Sequence, residues 1–219
     1  GDITVGTALN QNYTKFKVTP KDLGGGNKQQ WKVDNDGKLC TETVTVTGSA
    51  SERWKKLKEA VGTIADGGTI VIDGEIKATS DTDNYGEIVI NKNISIKKAH
   101  SAASAVIDAN SNALGANAHR IFKVESGKTL TLDNLTLKGG NAVGATDAAG
   151  SGGAIFVQGA TVRITNCTLT GNTAEKNGGA VWAESSTAEV IINSSIIGGT
   201  SGDGNKVTDQ DGFGGGIVI

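Results

Sequence analysis

One short phrase recurs three times in the last third of the 219-residue chain: Gly152-Gly153-Ala154-Ile155, Gly178-Gly179-Ala180-Val181 and Gly214-Gly215-Gly216-Ile217. The copies begin 26 and 36 residues apart. Self-similarity at such a period signals units that stack on one another, because a single unit cannot bury its own apolar face.

The residues between the glycines say what kind of stack this is. Thr161-Val162-Arg163-Ile164-Thr165-Asn166-Cys167-Thr168-Leu169 aligns without a gap on Thr129-Leu130-Thr131-Leu132-Asp133-Asn134-Leu135-Thr136-Leu137. It also aligns on Glu189 to Ile197 when Val190 is set on Val162. Every copy alternates apolar and polar residues and is rich in Val, Ile, Leu and Thr, the pattern of a strand with one buried face and not of a helix of period 3.6. The alternation breaks at Asn166 and resumes through Leu169, so a corner between two short strands is expected there. With strands of successive units in parallel at about 4.8 Å, equivalent side chains stack. Leu132, Ile164 and Ile192 then form one interior column, and Leu135, Cys167 and Ser195 another. Asn134, Asn166 and Ser194 are expected to stack at the corner, where amides can hydrogen-bond along a ladder. The glycine pairs mark a second corner that requires φ > 0. The fold class expected is all-β, a parallel β-helix or solenoid.

Composition agrees with a narrow interior filled by aliphatic side chains: 32 glycines, one proline, no methionine and only 4% aromatic residues. The net charge of −2 and the lack of Lys/Arg-rich runs leave nucleic acid nothing to hold. No apolar stretch approaches the 18 residues of a membrane span. The start at Gly1 is what removal or exclusion of a signal peptide would leave. The last copy opens a new turn just before Ile219, so a rod truncated at its C-terminal end is expected.

Along the chain, residues 1–48 form a β-rich segment, with strands expected at Phe16-Lys17-Val18, Trp31-Lys32-Val33 and Thr43 to Thr47 and turns at Gly24-Gly25-Gly26 and Asn35-Asp36-Gly37. Ser49 and Glu52 make a capping box, followed at helical spacing by Trp54, Leu57, Val61 and Ile64. The spacing predicts a helix over 49–66, placed to cover the open end of the core. Residues 67–219 form the solenoid, in five or six turns with a height of roughly 25 to 30 Å. Insertions at 79–86, 109–118, 140–151 and 199–213 are expected to leave the rod at its corners and form a binding face.

Gly178-Gly179-Ala180-Val181, preceded by Leu169-Thr170-Gly171-Asn172, resembles the paired GGA[ILV] and FxxN repeats of the polymorphic outer-membrane proteins first known from chlamydiae. The likeness covers about residues 120–219. It departs from that pattern at Leu169, where those proteins usually carry Phe. It also departs at Ile197-Gly198-Gly199-Thr200, which lacks the Asn, and at Leu137-Lys138-Gly139-Gly140-Asn141, which has one residue inserted. The stretch from Trp54 to Ile72 looks like the start of many bacterial right-handed β-helix surface proteins. The resemblance implies a right-handed helix, export to the cell surface or outer membrane or secretion, and a role in adhesion or virulence.

Enzymatic chemistry is the alternative, since parallel β-helices of the pectin lyase type also carry polysaccharide lyases and glycosidases. Asp81, Asp83, Asp203, Asp209 and Asp211 lie in Gly/Asn/Ser-rich stretches, the ordinary company of solvated turn residues. Arg163, one of three arginines, points outward between Val162 and Ile164 with no repeated acid beside it. No EF-hand or Gly-Gly-x-Gly-x-Asp calcium spacing occurs. His100 and His119 have no second zinc ligand at a suitable offset. Gly24-Gly25-Gly26-Asn27-Lys28 lacks the phosphate-loop spacing. Cys167 falls in an inward column as a small hydrophobe, and pairing with Cys40 stays open. The Asn-x-Ser/Thr triplets at Asn12, Asn93, Asn134, Asn166 and Asn193 read as by-products of the Asn corner and Thr-rich strands. Trp182 alone makes no aromatic platform for sugars. The expected function is non-catalytic: an adhesin-like rod displaying loops to a host or neighbouring-cell surface or extracellular-matrix protein. No catalytic, cofactor or metal residues are assigned, and the partner-binding residues are not identified. The rivals are a polysaccharide-degrading enzyme with its site outside this chain and a passive spacer.

Overall fold

The computed structural model describes residues 31–33, 39–199 and 202–219, with side chains from residue 42 onward. The expected strand at 16–18, the glycine turn at 24–26, the turn at 35–37, the Asn12 triplet and the side chain of Cys40 lie outside the described residues.

The chain is built of parallel β-sheets with few helices. A first, seven-stranded sheet holds Ile64–Ile72, Ile94–Lys98, Thr129–Asp133, Thr161–Thr165 and Glu189–Asn193 in that spatial order, all parallel. Leu39–Val46 joins it in parallel beside Ile64–Ile72, and Trp31–Val33 closes that edge antiparallel. A second sheet of five strands runs from Gly74–Lys77 through Ala105–Asp108, Thr136–Lys138 and Thr168–Thr170 to Ile196–Ile197. A third, of three short strands, holds Asn141–Ala142, Thr173–Ala174 and Lys206–Val207. The fourth has five: Ile88–Ile90, Phe122–Val124, Ile155–Gln158, Val181–Glu184 and Ile217–Val218. From Ile64 the chain visits the first, second and fourth sheets in constant order, and the third on each pass after Leu137.

The gap-free alignment of the copies is also the register of the strands. Ile164 lies beside Leu132 on one side and Ile192 on the other, and Ile96 and Ile70 continue the column. Ile70, Ile96, Leu132 and Ile164 are fully buried. Ile76, Ile107, Leu137 and Leu169 line up likewise in the second sheet and are also fully buried. At roughly 1.5–3 kcal/mol per fully buried aliphatic side chain, these columns drive the packing.

The Gly-Gly corners divide two tasks. Gly152, Gly178 and Gly214 have φ of +71°, +59° and +62°, a region in which side chains other than Gly are strained. The second glycine is required for space: a Cβ on Gly153 would strike the carbonyl oxygens of Thr173 and Gly179.

The opposite corner corrects the expected amide ladder. Asn134, Asn166 and Ser194 stand at equivalent positions with φ of 56°, 53° and 48°, so what they share is a left-handed backbone that Asn adopts more readily than most residues. Their rungs are joined through the main chain, Asn134 N donating to the Thr165 carbonyl and Asn166 N to that of Asn193. The Asn134 and Asn166 amides turn instead to Asp133 Oδ1, at 2.8 and 3.4 Å.

Helix α1 spans Arg53–Thr63, shorter than expected at both ends. The Ser49/Glu52 capping box does not form: Glu52 is the N-cap residue and makes no side-chain capping bond. Ser49 Oγ donates to the Glu52 carboxylate while its carbonyl accepts from Glu52 N, which makes a turn ahead of the helix. Arg53 anchors the start by donating to the carbonyls of Val46, Asp73 and Glu75. Ile64 is already extended and opens the strand Ile64–Ile72, so the Asp66-Gly67-Gly68 stop falls inside that strand. Trp54, Leu57, Ala60 and Val61 are buried, and α1 packs against the first strands of the first, second and fourth sheets. It therefore lies across one end of the apolar interior.

Candidate functional site

Two of the four insertions are structural clamps. In 79–86, Asn84 is fully buried; its Oδ1 accepts from Lys55 N and its Nδ2 donates to Thr79 Oγ1 at 2.9 Å and, more weakly, to the Ala50 and Lys77 carbonyls. Trp54 Nε1 donates to the Gly86 carbonyl and Lys58 Nζ to that of Tyr85. Asp81 accepts from Thr79 Oγ1 within the turn, and Asp83 faces Lys55 at 3.6 Å. Asp81 is thus a turn residue, and Asp83 faces α1 across an exposed ion pair. The insertion 109–118 folds as α2 (Ser111–Leu114) and a 3₁₀ turn (Gly115–Asn117). It leads to His119, whose ring is tilted against Trp54 at 5.1 Å. His119 Nδ1 lies 2.7 Å from the Arg120 carbonyl, and burial lowers the ring's proton affinity.

The insertion 140–151 is pinned by a residue that the repeat pattern did not single out. Arg120 is buried and donates its Nη2 to the carbonyls of Ala148 and Ala149 in helix α3 (Asp147–Gly150). Its Nε meets Glu87 at 2.7 Å, and its guanidinium lies over the Phe156 ring at 5.0 Å. Burial disfavours its charge and Glu87 opposes that. Phe156 stacks on Trp182 with ring centroids 4.8 Å apart, one strand spacing. Both rings stand on the outer face of the fourth sheet and are nonetheless covered, with 2% and 8% exposure, so neither offers a free face to a sugar.

The insertion 199–213 carries the remaining acids. The Asp203 carbonyl accepts from Gly171 N and Thr170 Oγ1. Asp209 pairs with Lys176 at 2.6 Å and accepts from Asp211 N. The hydrogen bond and charge of Lys176 hold the Asp209 carboxyl below its ordinary value, so this carboxylate is fixed as an ion-pair partner. Arg163 is exposed, in register between Thr131 and Ile191. His100 is exposed in a turn. Cys167 is a buried free thiol, pushed up by burial. Among the described residues no three His, Cys, Asp or Glu side chains gather as a metal site, and no helix is long and apolar enough to cross a membrane. A shallow groove along one corner is lined by Glu125, Ser126, Gln158, Gly159, Glu184 and Ser185. It is open and encloses nothing.

Each of the two long insertions presents one large apolar side chain among smaller or polar exposed residues. Val143 is 61% exposed and Phe213 70% exposed, the first on an excursion rich in Gly and Ala and the second on one rich in Gly and Asp. Val143 follows Asn141–Ala142 of the third sheet, and Phe213 bridges in parallel to Asn177, just past the next strand of that sheet. Both therefore project from the same side of the stack. Val143 and Phe213 stand in the sequence as large apolar residues of Gly-rich insertions, but only the placement of both loops on one side gives them a joint meaning. No family model matches the chain, and no curated protein or solved structure is found to be similar to it.

Proposed function

We propose that this chain is the shaft of a non-catalytic bacterial surface protein, a right-handed parallel β-helix that contacts a protein of a host or neighbouring cell, or of the extracellular matrix, through its corner excursions. The observation that carries the reading is the pair Val143 and Phe213, exposed on two excursions of the same side. Exposed large apolar side chains on a rigid scaffold are the ordinary anchors of a protein interface. The constant order of the sheets and the in-register columns support a coil whose turns repeat. The repeats similar to GGA[ILV] and FxxN favour export to the outer membrane or beyond.

The test is a binding screen of the purified chain against matrix and cell-surface proteins, with Phe213→Asp and Val143→Asp beside the wild type. Both positions lie outside the core, so the variants should keep the wild-type circular dichroism. Saturable binding that weakens about 30-fold or more in Phe213→Asp, the loss of an interface hot spot, is the expected result. Binding unchanged in both variants, or no binding to any protein in the screen, would refute the reading.

A further inference from the structure

His119 joins three parts of the fold. Its carbonyl accepts from Asn141 N and Ser111 Oγ, its ring rests against Trp54 of α1, and the adjoining Arg120 pins α3. The Arg120 carbonyl can only accept, so His119 Nδ1 must carry the hydrogen in its 2.7 Å contact. The neutral ring then leaves its lone pair on Nε2, which is buried and has no partner among the described residues. A second proton can go nowhere else, and on Nε2 it would place a charge without an acceptor.

The surrounding charges give the imidazolium no relief. Lys58, on α1, is a like charge that further disfavours protonation. Glu87 is committed to the Arg120 guanidinium, and Asp83 faces Lys55. The ring can gain an acceptor only by leaving Trp54 and reaching water.

We propose that His119 is a proton-operated latch on the N-terminal end of the stack: a second proton on its ring frees α1 from the sheets and uncovers the apolar end that α1 closes. The sign follows from linkage. The open form binds the proton near the unperturbed value of about 6.5 and the closed form only at lower pH. The latch is therefore fully closed above that value and progressively weakened below it.

Hydrogen exchange of the α1 amides, corrected for intrinsic rates, tests this on the whole chain at pH 7.5 and 5.0. Wild-type protection over residues 53–63 should fall by up to about 30-fold at the lower pH, the ratio set by an open-state value near 6.5. His119→Asn, which can still donate to the Arg120 carbonyl but cannot take a proton, should show no such fall. Equal falls in both proteins would overturn the proposal. An NMR titration of the wild type decides the matter independently of how the variant folds. His119 should titrate below the ordinary imidazole value of about 6.5, and titration at or above it would overturn the latch.

Discussion

Asn205 repeats, one strand higher, the place that Asn172 takes in the stack. Asn172 Nδ2 donates to the Leu137 carbonyl at 3.1 Å and Asn205 Nδ2 to the Leu169 carbonyl at 2.8 Å, Leu137 and Leu169 being partners in the second sheet. Asn205 Oδ1 in turn accepts from both the backbone N and the Nδ2 of Asn172. The amide ladder expected at the Asn134 corner is thus found at a different one.

Asn172 is fully buried, and its Oδ1 also accepts from Gly140 N. Asn172→Ala strands that N–H, takes from the Leu137 carbonyl its side-chain donor, and should cost about 3 kcal/mol. The thermal midpoint should drop by roughly 6–12 °C. Asn172→Asp should be worse, because it sets a carboxylate against the Leu137 and Thr170 carbonyls and Asn205 Oδ1. Calorimetry of the two variants checks the order, and an Asn172→Ala protein as stable as the wild type would sink the ladder as a stabilising element.

Ser185 stands where the preceding copy has Gly159, as the pairing of Gln158 with Glu184 fixes. Gly159 has φ of 59°, whereas Ser185 has φ of 98°, a strained value for a residue with a Cβ. Ser185→Gly should therefore raise stability by about 1 kcal/mol, net of the small entropic cost of a glycine. Ser186→Gly, at a neighbouring exposed residue with no positive φ, should lower it by about 0.5 kcal/mol. Urea midpoints that move in the same direction for both would contradict the assignment of strain to Ser185.

Burial pushes the Cys167 thiol up, away from the thiolate that alkylating reagents require. At pH 8 the folded protein should leave Cys167 unmodified by iodoacetamide, and the same residue should react fully in concentrated urea. Peptide mapping by mass spectrometry reads the site directly. Native labelling at the denatured rate would place the sulfur outside the core column.

Much of the architecture is legible in the sequence, for a definite reason. Strand side chains alternate with period two, and Thr129 to Leu137 and Thr161 to Leu169 have no insertions, so aligning the text aligned the Cα partners. Asn205 escaped because a longer segment separates it from Ile197 than separates Asn172 from Leu169, and no fixed offset connects them. The Ser49/Glu52 motif misled because Arg53 finds three carbonyls beyond its own turn and sets the helix start one residue after Glu52. Loop chemistry alone could not tell the insertions that clamp α1 from those that present Val143 and Phe213, because that difference rests on contacts with residues 29 to 34 positions away, such as those of Asn84 with Lys55 and Ala50.

The Gly-Gly corners also bear on how such a chain changes length. Gly153 N donates to the Gly178 carbonyl and Gly179 N to that of Gly214, so each corner hands the backbone to the next through the same bond. A genetic exchange that joined the codon for Gly152 to that for Gly179 would delete one whole pass, leave matched glycines at the junction and shorten the stack of strands by about 4.8 Å. Duplication across the same two points would lengthen it by as much. The repeats make the height of the stack a heritable quantity that varies in steps of one strand, without a new core having to be found at each step.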